Sequence, residues 1–349
     1  MKKGILIFFV MMGLFILASV LFYIKVGWVK WGREDLDSKK MGYCFDVATD
    51  PTASRLFVAS GKRGLHVLNL ANGKLEYVTT YFDGGYYRNL KVKGDRAFIA
   101  DADRGLVVID ISGNMPRTTW FQSGREAYGV HVEEDKAYVA AEEAGLEIFD
   151  ISNPDSPDLL STLKTSGEAW DVWVHNGFAY VADVDKGVTV INISSPGEPY
   201  QVGFVTWVNK NPMAEIVHGE IETIYIGAGR HGLVIVDISN PTYPKVISIY
   251  RPVRIGFVEG LATRDGFVYF TMGGGIANLS TIENGLHILD VTDRYRPKPL
   301  GKVSFLDWPE GVYVTEDFAY VANTFTGVRS VDIQNPARPF LVDTFNVSR

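Results

Sequence analysis

From residue 43 onward, apolar side chains come in short bursts rather than at a helical period. The stretch 128–163 shows the grammar. Tyr128 to Glu133 alternates around Val130 and Val132, and a tight turn follows at Glu134-Asp135. Lys136 to Ala141 carries Tyr138 and Val139, and a polar turn ends at Gly145. Leu146 to Ile151 is a third burst, then Ser152-Asn153-Pro154-Asp155-Ser156-Pro157, then Asp158 to Leu163. Bursts rich in β-branched and aromatic residues, bounded by Gly, Pro, Asn and Asp, read as strands joined by turns. Many are apolar on both faces, which a strand tolerates only when its sheet is covered on both sides.

The unit recurs. Its third burst reads GLHVLNL at 64–70, GLVVIDIS at 105–112, GLEIFDIS at 145–152, GVTVINIS at 187–194, GLVIVDIS at 232–239, GLHILDVT at 285–292 and GVRSVDIQ at 327–334. Successive starts lie 41, 40, 42, 45, 53 and 42 residues apart. Four strands in about 40 residues is one propeller blade, a unit that buries its faces only by stacking on copies of itself. The pattern predicts an all-β, seven-bladed β-propeller of four-stranded blades. Its first strand starts near 43 and its last spans Pro339 to Asn346, so whole blades meet where the ring closes. That seam is the expected weak point.

Leu233-Val234-Ile235-Val236-Asp237 spells the signature of the LVIVD-repeat family, and Asp150-Ile151-Ser152-Asn153-Pro154 and Asp237-Ile238-Ser239-Asn240-Pro241 match its usual continuation. The chain resembles that family over about 43–349. Ser330 departs from the pattern in repeat seven, and Asn69, with no Asn-Pro after it, departs in repeat one. The resemblance implies propeller building blocks of envelope and cell-surface proteins with no shared chemistry. Asp110, Asp150, Asp237, Asp290 and Asp332 hold one place in five repeats, which marks them as turn-formers that accept backbone N–H bonds.

The other end differs in kind. Residues 1–3 form a short tail, and Gly4 to Ile24 is 21 residues without a charge. As a helix that stretch spans about 31 Å, enough for a hydrocarbon core. Tyr23, Trp28 and Trp31 suit an interfacial belt, and no Ala-x-Ala cleavage site appears. The reading is a transmembrane anchor at 4–24 in the lipid bilayer, a basic juxtamembrane linker at 25–42 and the propeller at 43–349. The N-terminus is expected in the cytoplasm and the propeller outside the cytoplasmic membrane, periplasmic or extracellular.

Charge sharpens this. The formal net charge is −7, with +4 on residues 1–42 and −11 on the rest. An acidic propeller argues against nucleic-acid binding, which wants a basic face. Cys44 is the single cysteine, so there is neither an internal disulfide nor a thiolate cluster. No metal or cofactor is expected. Asp101-x-Asp103 and Asp183-x-Asp185 are acid pairs at turns, and the six histidines are not expected to gather, with His131 on an inner strand and His175 and His218 near the repetitive face.

In a propeller, the turns between second and third strands and the links between blades share one face. Here that face varies, whereas the opposite one repeats short Asp, Gly and Asn turns. The entrances to the innermost strands align as Phe45, Arg88, Tyr128, Trp170, Ala214, Glu259, Glu310, followed by Asp46, Asn89, Gly129, Asp171, Glu215, Gly260, Gly311. From these and the neighbouring Trp308, the expected ligand-binding set at the channel mouth is Arg88, Tyr128, Trp170, Asp171, Glu215, Glu259, Trp308 and Glu310. Insertions at 207–215, 251–260 and 272–284 suggest a raised rim on blades five and six. Trp207, Met213, Arg254, Phe257, Ile276 and Leu279 are its partner-docking candidates.

Together these features lead to a membrane-anchored, non-catalytic binding platform at the cell envelope with a protein partner or small ligand. One alternative is an envelope enzyme, of hydrolase or lyase type, with an acidic site at the channel mouth. Its mark would be a polar cluster with strongly shifted pKa values. Another is a subunit of a larger membrane assembly, marked by an exposed apolar patch around Phe257, Ile276 and Leu279.

Overall fold

The computed structural model describes residues 43–122, 125–208, 211–252, 256–273 and 284–346. The tail, span and linker expected at 1–42 lie outside the described residues, and among those described no helix is long and apolar enough to cross a membrane.

The described chain forms 28 strands in seven four-stranded antiparallel sheets. Each sheet takes its strands in sequence order, so the architecture is a seven-bladed β-propeller. Blade one contributes Asp46–Thr49, Arg55–Ala59, Leu65–Ala71 and Lys74–Tyr81, and blade seven contributes Pro309–Val314, Phe318–Asn323, Gly327–Asp332 and Phe340–Phe345. Ring closure joins two complete blades.

The second and third strands of each blade are almost wholly buried, because each sheet lies between two others. The core is accordingly divided into seven apolar clusters, one at every blade interface. At the closing seam Cys44, Val47, Leu56, Val58 and Leu68 of blade one meet Tyr320, Ala322 and Val328 of blade seven. This is the smallest cluster, with eight buried side chains against ten to fourteen elsewhere. Burial pushes the Cys44 thiol up to about 12, so the cysteine acts as packing. The Leu75 amide donates to Asp343 Oδ2 at 3.0 Å and the Gly311 amide to the Phe45 carbonyl at 2.8 Å, which add polar ties across the seam.

The repeated acid has the expected role. Asp110, Asp150, Asp237 and Asp290 each accept the backbone amide two residues on, at 2.9–3.0 Å. Asp332 does the same at 3.1 Å, and Asn192 serves in blade four at 3.0 Å. Blade one instead closes its outer hairpin through Asn72-Gly73, both in the left-handed region at φ 50 and 75. That turn requires residues tolerant of positive φ, which explains the missing Asn-Pro. Ser330, the apolar-to-polar departure in repeat seven, is fully buried and its hydroxyl has no hydrogen-bond partner among the described residues.

Candidate functional site: the channel mouth

Each blade's innermost strand begins at the mouth of the central channel, and in blades one, three, four and five the residue just before its start is held by a shared bond. Phe45, Tyr128 and Trp170 each donate their amide to the carbonyl of the last alanine of the second strand, at 2.9 Å. In blade five the donor in this place is Glu215, to the Gly227 carbonyl at 3.0 Å. The alignment through Ala214 is therefore off by one. Asn211 and Met213 adopt φ 47 and 57, and Ala214 instead pairs with Val184 of the preceding blade. In blades two and six the mouth residues Arg88 and Glu259 are extruded at register shifts between Tyr87 and Asn89 and between Val258 and Gly260. A third shift, between Pro309 and Val312, surrounds Glu310. Around the ring the mouth thus reads Phe45, Arg88, Tyr128, Trp170, Glu215, Glu259, Glu310.

This ring has two arcs. In the first, the Arg88 guanidinium lies 4.7 Å from the Phe45 ring centre and 4.9 Å from that of Tyr128. Tyr128 in turn stacks on Trp170, with centroids 5.6 Å apart and planes 13° from parallel. These contacts hold a cation over π faces. In the second arc, three carboxyls converge. Trp308 Nε1 donates to Glu259 Oε1 at 3.0 Å, and Thr324 Oγ1 donates to Glu310 Oε1 at 3.0 Å. Glu215 has no hydrogen bond or ion pair to a described residue. All three residues are half-buried. Burial, followed by the repulsion of Glu310, pushes the Glu215 carboxyl up to about 8. Burial pushes Glu310 to about 7 against the pull of Arg88. Burial and then its two acidic neighbours hold Glu259 well above the usual carboxylate range.

Asp171 belongs to the next position along the strand and has a different task. Its Oδ2 accepts the Val217 amide of the next blade at 3.0 Å. Asp46 accepts the Leu90 amide at 3.1 Å, and Asn89 Oδ1 accepts the Val130 amide at 3.1 Å. These side chains latch one blade to the next. Where the position is glycine, a side chain has no room: a Cβ at Gly311 would stand 2.4 Å from Asp46 Oδ1, and one at Gly129 2.7 Å from Asp171 Oδ1.

The rim candidates divide. Trp207 packs against the apolar cluster between blades four and five, its indole N–H buried and without a partner among the described residues. Met213 lies against Gly229, and Phe257 stacks on Trp308 with centroids 6.2 Å apart. All three are half-buried, so none is the exposed anchor expected of it. Arg254, Ile276 and Leu279 lie outside the described residues. Among the described residues, exposed apolar side chains in the loops on the mouth face include Leu306, Phe82 and Phe325, the first 92% exposed.

The sequence reading passed over a third layer, deeper in the channel. Lys91 Nζ sits 3.7 Å from Asp46 Oδ2. Burial, then the Lys91 charge, pushes the imidazoles of His131 and His218 down to about 3 and about 4. They stand at the same depth on the first strands of blades three and five, with that of blade four between them, at sequence separations that offered no local signal. Asp101, one of the paired turn acids, accepts the Asp103 amide at 2.8 Å and the Arg104 Nε at 2.8 Å. Among the described residues no group of three or more His, Cys, Asp or Glu is placed to hold a metal ion.

The chain resembles several solved structures at low sequence identity. The computationally designed Ika8 protein is 11% identical at a TM-score of 0.60, covering 83% of this chain and 96% of its own. U3-55K is 10% identical at 0.64, covering 81% and 89%. Sqt1 of Saccharomyces cerevisiae is 10% identical at 0.64, covering 89% and 88%. At such identities the likeness is one of fold alone. No curated protein matches the chain. The LVIVD repeat profile matches residues 84–114, 124–165, 166–206, 224–251 and 310–347, together more than half of the sequence. With the seven blades and their Asp-closed turns, this places the chain in the LVIVD-repeat family.

Proposed function

We propose that the protein is a binding module whose ligand or partner is recognised at the channel mouth, held at the cell envelope by an N-terminal anchor. One observation carries this reading. Seven equivalent mouth positions hold Phe, Arg, Tyr, Trp and three Glu, whereas the equivalent turn positions hold Asp or Asn throughout. A scaffold that repeats its turns and varies its mouth concentrates specificity there. The fold is one commonly used for protein interaction, and the acidic propeller and the uncharged 4–24 segment fit an exported, tethered domain. Replacing Arg88, Trp170 and Glu310 together by alanine should remove whatever copurifies from membranes. Retained capture would move the site elsewhere. Carbonate-resistant membrane association that is lost on deleting 4–24 tests the anchor.

The raised carboxyls favour a second reading, an enzyme using one glutamate as general acid at neutral pH. It requires a turnover that a Glu259→Gln variant loses while binding persists. The binding reading requires capture without turnover.

A further inference from the structure

The mouth face is uneven. Four of its loops, at 305–308, 324–326, 60–64 and 82–86, follow one another around the ring and flank Tyr43, where the described chain begins. Three of them carry an exposed apolar tip: Leu306, Phe325 and Phe82. The fourth exposes Lys62. The described loops of blades three, four and five on the same face expose charged side chains instead, among them Glu143, Lys164, Asp185, Lys186 and Arg230, and no large apolar one. A chain of contacts joins the tips into one edge. The Thr324 amide donates to the Trp308 carbonyl at 2.8 Å and the Thr326 hydroxyl donates to Asp307, which ties the loop of Phe325 to that of Leu306. The Phe325 ring lies 5.6 Å from Tyr43, Tyr43 stacks on Phe45 at 6.0 Å, and Phe45 lies 5.6 Å from Tyr86 in the loop of Phe82. The acids beside two of the tips are neutralised: Asp83 pairs with Arg104 and Asp307 with Arg329, each at 2.6 Å.

We infer that this edge rests on a lipid surface, with Phe82, Leu306 and Phe325 inserted among the headgroups and the charged half of the mouth face left in water. The chemistry of the edge suits that place. Aromatic rings lie beneath the tips, as at a membrane interface. Lys62 stands among them and suits lipid phosphates. The paired acids matter because a bare carboxylate is costly to move out of water. Where the chain enters decides the occupant. The edge is centred on Tyr43, and the 21 uncharged residues 4–24 end only 18 residues before it, at 25–42. Such a tether reaches at most about 65 Å when fully extended. A tethered contact forms within one molecule, so weak insertion by three side chains suffices. A protein partner has no such tie to this edge. The inference rests on the anchored reading of residues 4–24 and adds that the propeller tilts, its mouth beside the bilayer and open on the charged side.

The test uses the full-length protein in phosphatidylcholine vesicles, with an environment-sensitive fluorophore on one introduced cysteine at a time. Cys44 is buried and stays unlabelled. Probes at Leu306→Cys, Phe325→Cys and Phe82→Cys should shift to the blue and lose most of their emission when the lipid tails are brominated. Probes at Tyr243→Cys, exposed on the opposite face, and at Lys186→Cys, on the charged half of the mouth face, should do neither. Leu306 is almost fully exposed, so its replacement does not threaten the fold. If the protein floats with the vesicles and the Leu306 probe is quenched no more than the Tyr243 probe, the inference is wrong and the anchor stands. If the Lys186 probe is quenched as strongly as the Leu306 probe, the whole face lies on lipid and the apolar edge does not seat it. Disulfide crosslinking of Leu306→Cys between two copies, without quenching by lipid, assigns the edge to a second copy of the chain instead. If the protein does not float with the vesicles at all, the anchor fails and this inference falls with it.

Discussion

Two rings of seven positions, one at the start of the first strand and one at the end of the third, are built by the same repeat and carry opposite lessons. The third-strand ring is Asn69, Asp110, Asp150, Asn192, Asp237, Asp290 and Asp332. Six of these accept an amide two residues on, a local bond that every blade needs alike. The first-strand ring has its backbone held by an equally regular bond in blades one, three, four and five, but its side chains point into shared space and have no common task. Uniformity there would place seven like groups against one another. What occurs is an aromatic–arginine arc facing an acidic arc. Repetition marks the scaffold, and variation within a repeated place marks what the scaffold presents.

The comparison can be broken from the scaffold side first. Phe57 is fully buried between blades one and two, and Phe57→Ala should cost about 3–5 kcal/mol in chemical denaturation. Survival of ligand capture at low temperature would confirm that core and mouth are separable. Gly311→Val, which drives a side chain into Asp46 and the Phe45 carbonyl at the closing seam, should cost about 1–3 kcal/mol and make unfolding begin there, visible as early amide exchange in blades one and seven. Uniform exchange around the ring would show that the smallest cluster is not the weakest. Asp237→Ala removes the acceptor of the Ser239 amide and should cost about 1 kcal/mol, with no effect on capture.

The mouth should respond in the other way. Alanine at Arg88, Trp170 and Glu310 should abolish capture while shifting unfolding by no more than about 1 kcal/mol per site. A larger loss would make the ring structural. The carboxyls give a finer, pH-dependent readout. Glu215 and Glu310 titrate near 8 and 7 in the fold against an ordinary 4.5, so between these values the folded chain holds protons that the unfolded chain has released. Stability must then fall as pH rises through that window. His131 and His218, held low against an ordinary 6.5, make the opposite contribution, which is complete above 6.5. Between pH 6.5 and 8 the slope therefore comes from the raised carboxyls, those of the mouth together with Glu142 outside it, which burial and then Glu126 push up to about 7. Wild-type Tm should decline across that range, and the Glu215→Gln, Glu310→Gln double variant should make the decline shallower, with Glu142 and Glu259 supplying what is left. An unchanged slope in the variant would place the titration elsewhere.

Much of this was legible in the chain. Seven third-strand phrases count the blades, and Asp followed by Ser-Asn-Pro closes a turn by contacts within a few residues, so local sequence suffices. The whole-blade closure follows from where the first and last strands fall. Six of the seven mouth residues were also aligned from the repeat alone. Blade five was misaligned because Asn211 and Met213 take left-handed backbone that the repeat does not contain, which moves Glu215 into the ring and Ala214 out of it. Asp171 looked like a ligand-binding acid, since nothing in its own blade reveals that an amide 46 residues on would occupy it. Trp207 looked like an exposed anchor and lies against two blades.

Sequence by itself determined everything that depends on contacts within one blade: the strands, the turns, the number of units and which face varies. Tertiary structure alone decided what happens between blades: which acids are latches, which residues meet across the channel, and that Lys91 and two histidines share its interior. The reason is range. Turn chemistry is settled by neighbours along the backbone, whereas burial, repulsion among Glu215, Glu259 and Glu310, and the cradle around Arg88 exist only once seven separate segments have been brought around one axis.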